Sequence, residues 1–148
     1  MEIKTTRFGT ITVEDGKVLH FPQSIPGFAS KEFVLLTLED QRPFRWLQAV
    51  DDPNLAFVVL DPFPFFKDYK PLVPTVDMAF LEMTAQSEAL LFVLCVVKEG
   101  PTITANLLAP ILINPGNNRG KQVILMNQDY PIRQPLSLTP KVQEAKAV

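Results

Sequence analysis

The sequence predicts a mainly β protein, a small antiparallel, barrel-like single domain with one short helix near residues 75–84. Three observations predict it. Apolar segments are short, rich in β-branched and aromatic residues, and bounded by turn formers. Fourteen prolines are dispersed through 148 residues, so they punctuate strands and do not mark low complexity. A helical apolar stripe appears only once.

Alternation over Lys4–Val13 predicts one or two opening strands around Gly9. Asp15-Gly16 is a tight-turn signal, and it predicts a hairpin between Ile11–Val13 and Val18–Phe21. Pro22, Pro26 and Gly27 make residues 22–30 a loop. Phe33–Leu38 and Phe44–Val50 read as strands around a turn at Gln41-Arg42-Pro43. The turn Asp51-Asp52-Pro53-Asn54 leads into Leu55–Leu60, a continuous apolar run read as a buried strand. Thr75 is placed to N-cap the helix, with Asp77 complementing its dipole and Val76, Phe80 and Leu81 or Met83 on its apolar side. Two long strands follow, about 89–97 and 102–114, joined by Lys98–Pro101. Pro110 puts the second at an edge or in a bulge. A turn through Gly116, Asn117, Asn118 and Gly120 leads to a strand over Gln122–Met126. Residues 1–135 form the domain. Residues 136–148 read as a tail, flexible or a short helix begun at Thr139-Pro140.

Composition narrows the function. Hydrophobic residues make up 47% of the chain, enough for one substantial core. Net charge is −2, and neither half carries a basic block, which disfavours direct nucleic-acid binding. The single cysteine, Cys95, lies in an apolar run and reads as a buried thiol. No intrachain disulfide can form, which fits a reducing cytoplasm. No stretch reads as a signal peptide or membrane span.

Sites for chemistry are sparse. One His and one Cys cannot furnish a zinc site. His20 reads as a hydrogen-bonded structural residue. Asp51, Asp52 and Asp61 are the only carboxylate grouping, and turn chemistry accounts for them. Gly116–Lys121 lacks the spacing and the hydroxyl residue of a phosphate loop. Asn106 and Asn114, bracketing an apolar strand, are expected to bond local backbone. No metal or cofactor is expected. The stretch Asp61-Pro62-Phe63-Pro64-Phe65-Phe66, followed by Tyr69, puts large rings on irregular backbone. Such rings are either a lid over the core or an anchor for another polypeptide.

Five stretches together resemble the flagellar assembly factor FliW family of bacteria. They are His20-Phe21-Pro22 with Ile25–Phe28, Phe44–Gln48 running through Asp52–Phe57 to Asp61-Pro62-Phe63, Ala105–Ile111 with Ile113-Asn114, Gly120–Val123, and Asp129–Arg133. The resemblance covers most of residues 3–135. It implies a mostly antiparallel barrel-like fold, no catalysis, and a cytoplasmic protein that binds flagellin and the translational repressor CsrA. In that scheme, capture of CsrA relieves repression of flagellin translation.

For the partners that the resemblance implies, Phe28, Phe63, Phe65, Phe66 and Tyr69 are the candidates for covering an apolar flagellin face. Glu39, Asp40, Asp51 and Asp52 are the candidates for meeting the basic surface of CsrA. Truncating Phe65 or Phe66 is expected to weaken flagellin binding with little change in melting. The rival readings are a small barrel enzyme using Asp51, Asp52 or Asp61 with His20, a nucleic-acid barrel with stacking aromatics, and an oligomeric structural domain. Only Lys67 and Lys70 flank the aromatic segment, too few for the nucleic-acid reading.

Overall fold

The structure is a computed structural model that describes residues 1–84, 86–97 and 102–136. Among these, the strands are β1 (Glu2–Thr5), β2 (Gly9–Thr12), β3 (Leu19–His20), β4 (Glu32–Thr37), β5 (Arg45–Ala49) and β6 (Ala56–Leu60). A single helix, α1 (Thr75–Phe80), precedes β7 (Leu90–Val97), β8 (Ile103–Ala105), β9 (Ile111–Asn114), β10 (Arg119–Gln122) and β11 (Gln134–Leu136). β1 and β2 form a separate ribbon, turning through Gly9 at φ +70°. The remaining strands form one sheet in the order β11-β8-β7-β6-β5-β4-β3-β10-β9. β9 pairs back onto β7, which closes β7-β6-β5-β4-β3-β10-β9 into a ring. Every neighbouring pair is antiparallel except β3 and β10, which meet in parallel at Arg119 and His20. The fold is therefore a mainly β, partly closed barrel, as the sequence predicts.

The two-residue alternation of a strand sorts the core into three parts. Inside the ring lie Phe21, Phe33, Leu47, Val59, Phe92 and Ile111. Outside it, the ribbon covers Val34 and Leu36 with Ile3 and Val13. Elsewhere on the outer face, the segment after β6 covers Leu60, Val93, Cys95 and Leu112 with Tyr69, Leu81 and Met83. Cys95 is buried as expected, and desolvation pushes its thiol up to about 12. The unfolded chain then loses this proton near pH 9 while the folded chain keeps it. Stability from this group is full below pH 9 and falls above it by up to about 1.4 kcal/mol per pH unit. Comparing alkaline melting of the protein with that of Cys95→Ala checks this, since the variant's stability should fall less steeply above pH 9.

Five elements differ from the sequence reading. The hairpin across Asp15-Gly16 does not form. Residues Asp15–Lys17 make a 3-10 turn, Gly16 does not take the positive φ that a two-residue hairpin loop demands, and β3 leaves β2 to pair with β4 and β10. Thr75 is the first residue of α1 instead of its cap, which is Pro74 and makes no side-chain bond. Val76 points to solvent, 71% exposed, while Asp77 is buried. The strand expected over 102–114 is two strands on one side of β7. Extrapolated from the Phe92–Ile111 pairing, Cys95 would face Leu108; it faces Ala105, so three residues loop out between them. Asn106 holds that loop by accepting the N–H groups of Leu108 and Ala109 at 3.2 and 3.0 Å.

Asn114 likewise bonds backbone, donating to the Leu81 carbonyl at 2.8 Å and accepting from the Gly116 N–H at 2.9 Å. The strand expected over Gln122–Met126 is shifted to Arg119–Gln122, so Gly120 is a strand residue and not part of the turn. Pro135 sits in β11, a strand the sequence did not suggest, at the outer edge where a missing N–H costs nothing. That strand also takes Leu136, buried, out of the expected tail. The turn at Lys98–Pro101 and the tail over 137–148 lie outside the described residues.

Candidate protein-binding surface

The aromatic segment begins where β6 ends. Asp61 accepts the Phe63 N–H through Oδ1 at 3.1 Å, so the aspartate works as a turn former. The Phe65 and Phe66 N–H groups both donate to the Pro62 carbonyl, and the Tyr69 N–H donates to that of Phe66. The prolines block a strand, and these bonds coil the segment back over the sheet. Phe65 and Phe66 are half-buried against the outer core. Tyr69 is 4% exposed, and its hydroxyl donates to the Leu107 carbonyl at 2.8 Å. Burial, and then the nearby Tyr130, raise its phenol above the ordinary tyrosine value.

This corrects two expectations. Tyr69 belongs to the core, so it supports a surface without being part of one. Phe65 and Phe66 each share the core, so truncating either will lower the melting temperature as well as alter the surface. The exposed ring is Phe63, at 45%, leaning on Tyr69 with centroids 5.9 Å apart.

A second segment lies beside the first. Tyr130 stacks edge-on against Tyr69 at 4.7 Å, and its hydroxyl accepts the Lys70 N–H at 2.9 Å. Gln128 accepts the Leu72 N–H and donates to the Lys70 carbonyl, at 2.8 and 2.9 Å. From these stitched segments Phe63, Leu72, Met126 and Ile132 present exposed apolar side chains, Leu72 at 72% and Met126 at 77%. Apolar groups held on pinned backbone outside the core can cover a partner's apolar face at little ordering cost. The sequence reading missed Leu72, Met126 and Ile132. Single apolar residues in a loop carry no periodic signal, and only the bonds between residues 70–72 and 128–130 join the two segments that carry them.

Phe28 lies elsewhere. Its ring, 45% exposed, packs edge-on against Phe57 of β6 at 4.9 Å, next to the inner core. Its loop is fixed by Ser24, which takes φ +61° and donates to the Ser30 carbonyl at 2.9 Å. No ring contact among the described residues joins Phe28 to the Phe63 group.

The four acidic candidates are also divided. Glu39 and Asp40 lie in a 3-10 turn just before β5, and Asp51 and Asp52 just after it. Antiparallel pairing of Arg45 with Val59 puts Asp61 and Phe63 at the Glu39 end of the sheet. Pairing of Phe33 with Ala49 puts Phe28 at the Asp51 end. Each end therefore mixes aromatic and acidic groups. Glu39 is paired with Arg42 at 3.0 Å. Asp52 accepts the Asn54 N–H at 3.0 Å through its carboxylate, as turn chemistry requires.

The same geometry keeps Asp61 away from Asp51 and Asp52, at opposite ends of β6. His20 lies at an exposed strand end, 3.3 Å from Glu32 and from none of these aspartates. Among the described residues no group of three or more His, Cys, Asp or Glu could hold a metal ion, and no helix is long and apolar enough to cross a membrane.

Comparison with known proteins adds to this geometry. A family model described as FliW protein matches residues 2–136. A flagellar assembly factor FliW of Geotalea uraniireducens is 39% identical over 146 residues, covering 98% of this chain and 90% of that protein. One of Caldanaerobacter subterraneus subsp. tengcongensis is 41% identical over 139 residues, covering 92% of this chain and 93% of that protein. A crystal structure of the flagellar assembly factor FliW superposes with a TM-score of 0.85 at 39% identity, covering 91% of this chain and 96% of that one.

Proposed function

The chain belongs to the FliW family of flagellar assembly factors, and on that premise we propose that it works in the cytoplasm by binding two proteins in alternation. One is flagellin before assembly. The other is CsrA, whose capture relieves repression of flagellin translation. The chain makes and breaks no covalent bonds in this scheme.

The observation that carries the reading is the exposed apolar group on stitched backbone, Phe63 with Leu72, Met126 and Ile132. Unassembled flagellin has apolar segments that need cover. A preformed surface binds them without first ordering itself. Asp51 and Asp52 at the far end of β5 are the acidic group for CsrA. Exposed charge there sets partner choice and association rate more than affinity. Alternation requires the two sites to exclude each other or be coupled.

A competition pull-down tests it. The protein is immobilised with CsrA, and flagellin is added in excess. Displacement of CsrA is the expected result. Phe63→Ala should weaken flagellin binding by about 2 kcal/mol, the size of an interface hot spot, while the melting temperature barely moves. Reversing the charge of Asp51 and Asp52 should slow CsrA association in a salt-dependent way and leave flagellin binding intact. Simultaneous, independent binding of both proteins would refute the alternation. Unchanged flagellin affinity in Phe63→Ala would remove this surface from the interface.

A further inference from the structure

We propose that β4 has a free edge which accepts an extended peptide of another protein as an added strand, with a peptide carboxylate meeting Arg45 and Lys17. This site is distinct from the Phe63 surface and does not rest on its assignment.

The phase of the hydrogen bonds exposes the edge. The Val50 N–H donates to the Glu32 carbonyl at 2.9 Å, and the Phe21 N–H to that of Lys31 at 2.7 Å. In an antiparallel ladder these directions alternate. Val34 and Leu36 therefore turn their backbone groups toward β5, and Phe33, Leu35 and Thr37 turn theirs toward β3. But β3 pairs only at Leu19–Phe33 and His20–Glu32. Its backward continuation would set Lys17 opposite Leu35. Lys17 instead donates to the Glu14 carbonyl at 3.0 Å within the 3-10 turn. The N–H and C=O groups of Leu35 and Thr37 are thus left without backbone partners among the described residues.

Beside this edge lies a cavity of about 490 Å³. Leu19, Leu35, Leu90 and Ile113 give it an apolar lining. Lys17, Arg45 and Glu14 supply its charges. Neither Lys17 nor Arg45 makes an ion pair among the described residues, and the Arg45 guanidinium lies 5.6 Å from the centre of the Phe92 ring. Two cations against one carboxylate favour an occupant that brings negative charge. Unpaired strand groups beside an apolar hollow satisfy an extended peptide better than a compact ligand. The peptide backbone bonds the edge, and alternate side chains fill the hollow.

The probe is the hexapeptide acetyl-Thr-Val-Thr-Val-Thr-Val with a free C-terminal carboxylate, titrated into the full chain and followed by backbone amide NMR. Binding should shift the Leu35 and Thr37 amides and slow their hydrogen exchange. A peptide N-methylated at alternate residues, in both phases, loses its edge-facing bonds in one phase. That phase should bind about tenfold or more weakly, as loss of two backbone hydrogen bonds predicts. The C-terminal amide should bind more weakly than the acid, and Arg45→Gln should shrink that difference, with Lys17→Gln added to it removing the rest. Thr37→Pro removes a donor on the open side and leaves the bonds to β5 in place; if it folds, it should bind more weakly. If it does not, the N-methyl comparison decides. Three results would each overturn the proposal. They are no binding at millimolar peptide, equal binding of all N-methylated forms, and Leu35 and Thr37 amides already protected in the free protein. Equal affinity of acid and amide would remove the charge contact.

Discussion

Gly120→Ala is expected to destabilise the protein by about 1–3 kcal/mol, and Gly120→Val by more, because both overpack a closed interior. A Cβ on Gly120 would lie 2.6 Å from Phe21 Cζ and within 2.9 Å of two further ring atoms. The ring has nowhere to go. Phe21 is fully buried and packs edge-on against Phe33 at 5.3 Å. The missing side chain lets the Phe21 ring cross the inside of the barrel onto the β10 backbone, at the point where β3 and β10 meet through a single residue pair. The cost should appear as a lower melting temperature, by about 2–4 °C for each kcal/mol in a chain of this size. Shrinking the ring should relieve it, so that Gly120→Ala combined with Phe21→Leu costs less than the sum of the single changes. An unchanged melting temperature in Gly120→Ala would show that the ring can move aside.

The second large effect is expected at the ion pair between Lys121 and Asp77. The Lys121 ammonium bonds Asp77 Oδ1, and the two side chains are 20% and 9% exposed. This pair joins α1 to β10, and the Phe80 ring lies 5.2 Å from the ammonium. Lys121→Met leaves a buried carboxylate with its cation removed. The loss should be roughly 2–4 kcal/mol, near that for enclosed pairs, reduced because some water reaches the site. Asp77→Asn should cost less, since the amide can still accept a hydrogen bond and Lys121 can lean toward solvent. The double change Asp77→Leu with Lys121→Met should recover much of the stability, because two apolar groups need no partners. Chemical denaturation of the four proteins checks this. Equal losses in the two single variants would mean the carboxylate is better hydrated than its burial indicates.

Much of the fold was legible because strands and turns announce themselves locally. β4, β5, β6 and β7 fall within a residue or two of their apolar runs. Asp52, Asp61 and Asn106 bond nearby backbone as their side chains allow, while Asn114 adds to its local bond one to the distant Leu81 carbonyl. The misplaced elements were those decided by distant partners. Asp15-Gly16 can close a hairpin or a 3-10 turn, and the choice was made where β3 pairs with β4 and β10. Asp77 looked like a dipole charge because its partner is Lys121, far along the chain. Gly120 looked like a turn residue because the ring it accommodates is Phe21.

The candidate surfaces divide in the same way. The residue types were right there in the chain: rings on a proline-broken segment, acids in turns. Their grouping was not. Neighbours in sequence, such as Phe63 and Tyr69, stay in contact but differ in exposure once one enters the core, and the acidic pairs on either side of β5 are held at opposite ends of it.

By itself, the sequence determined a mainly β domain without a recognisable catalytic motif, and a family to which it belongs. Only the tertiary structure decided which rings remain exposed, which charges are buried, and where the sheet is left open. Turn chemistry and alternation act over a few residues, and the chain alone encodes them. Exposure and strand pairing depend on which segments meet, and that is settled only when the ring of strands closes.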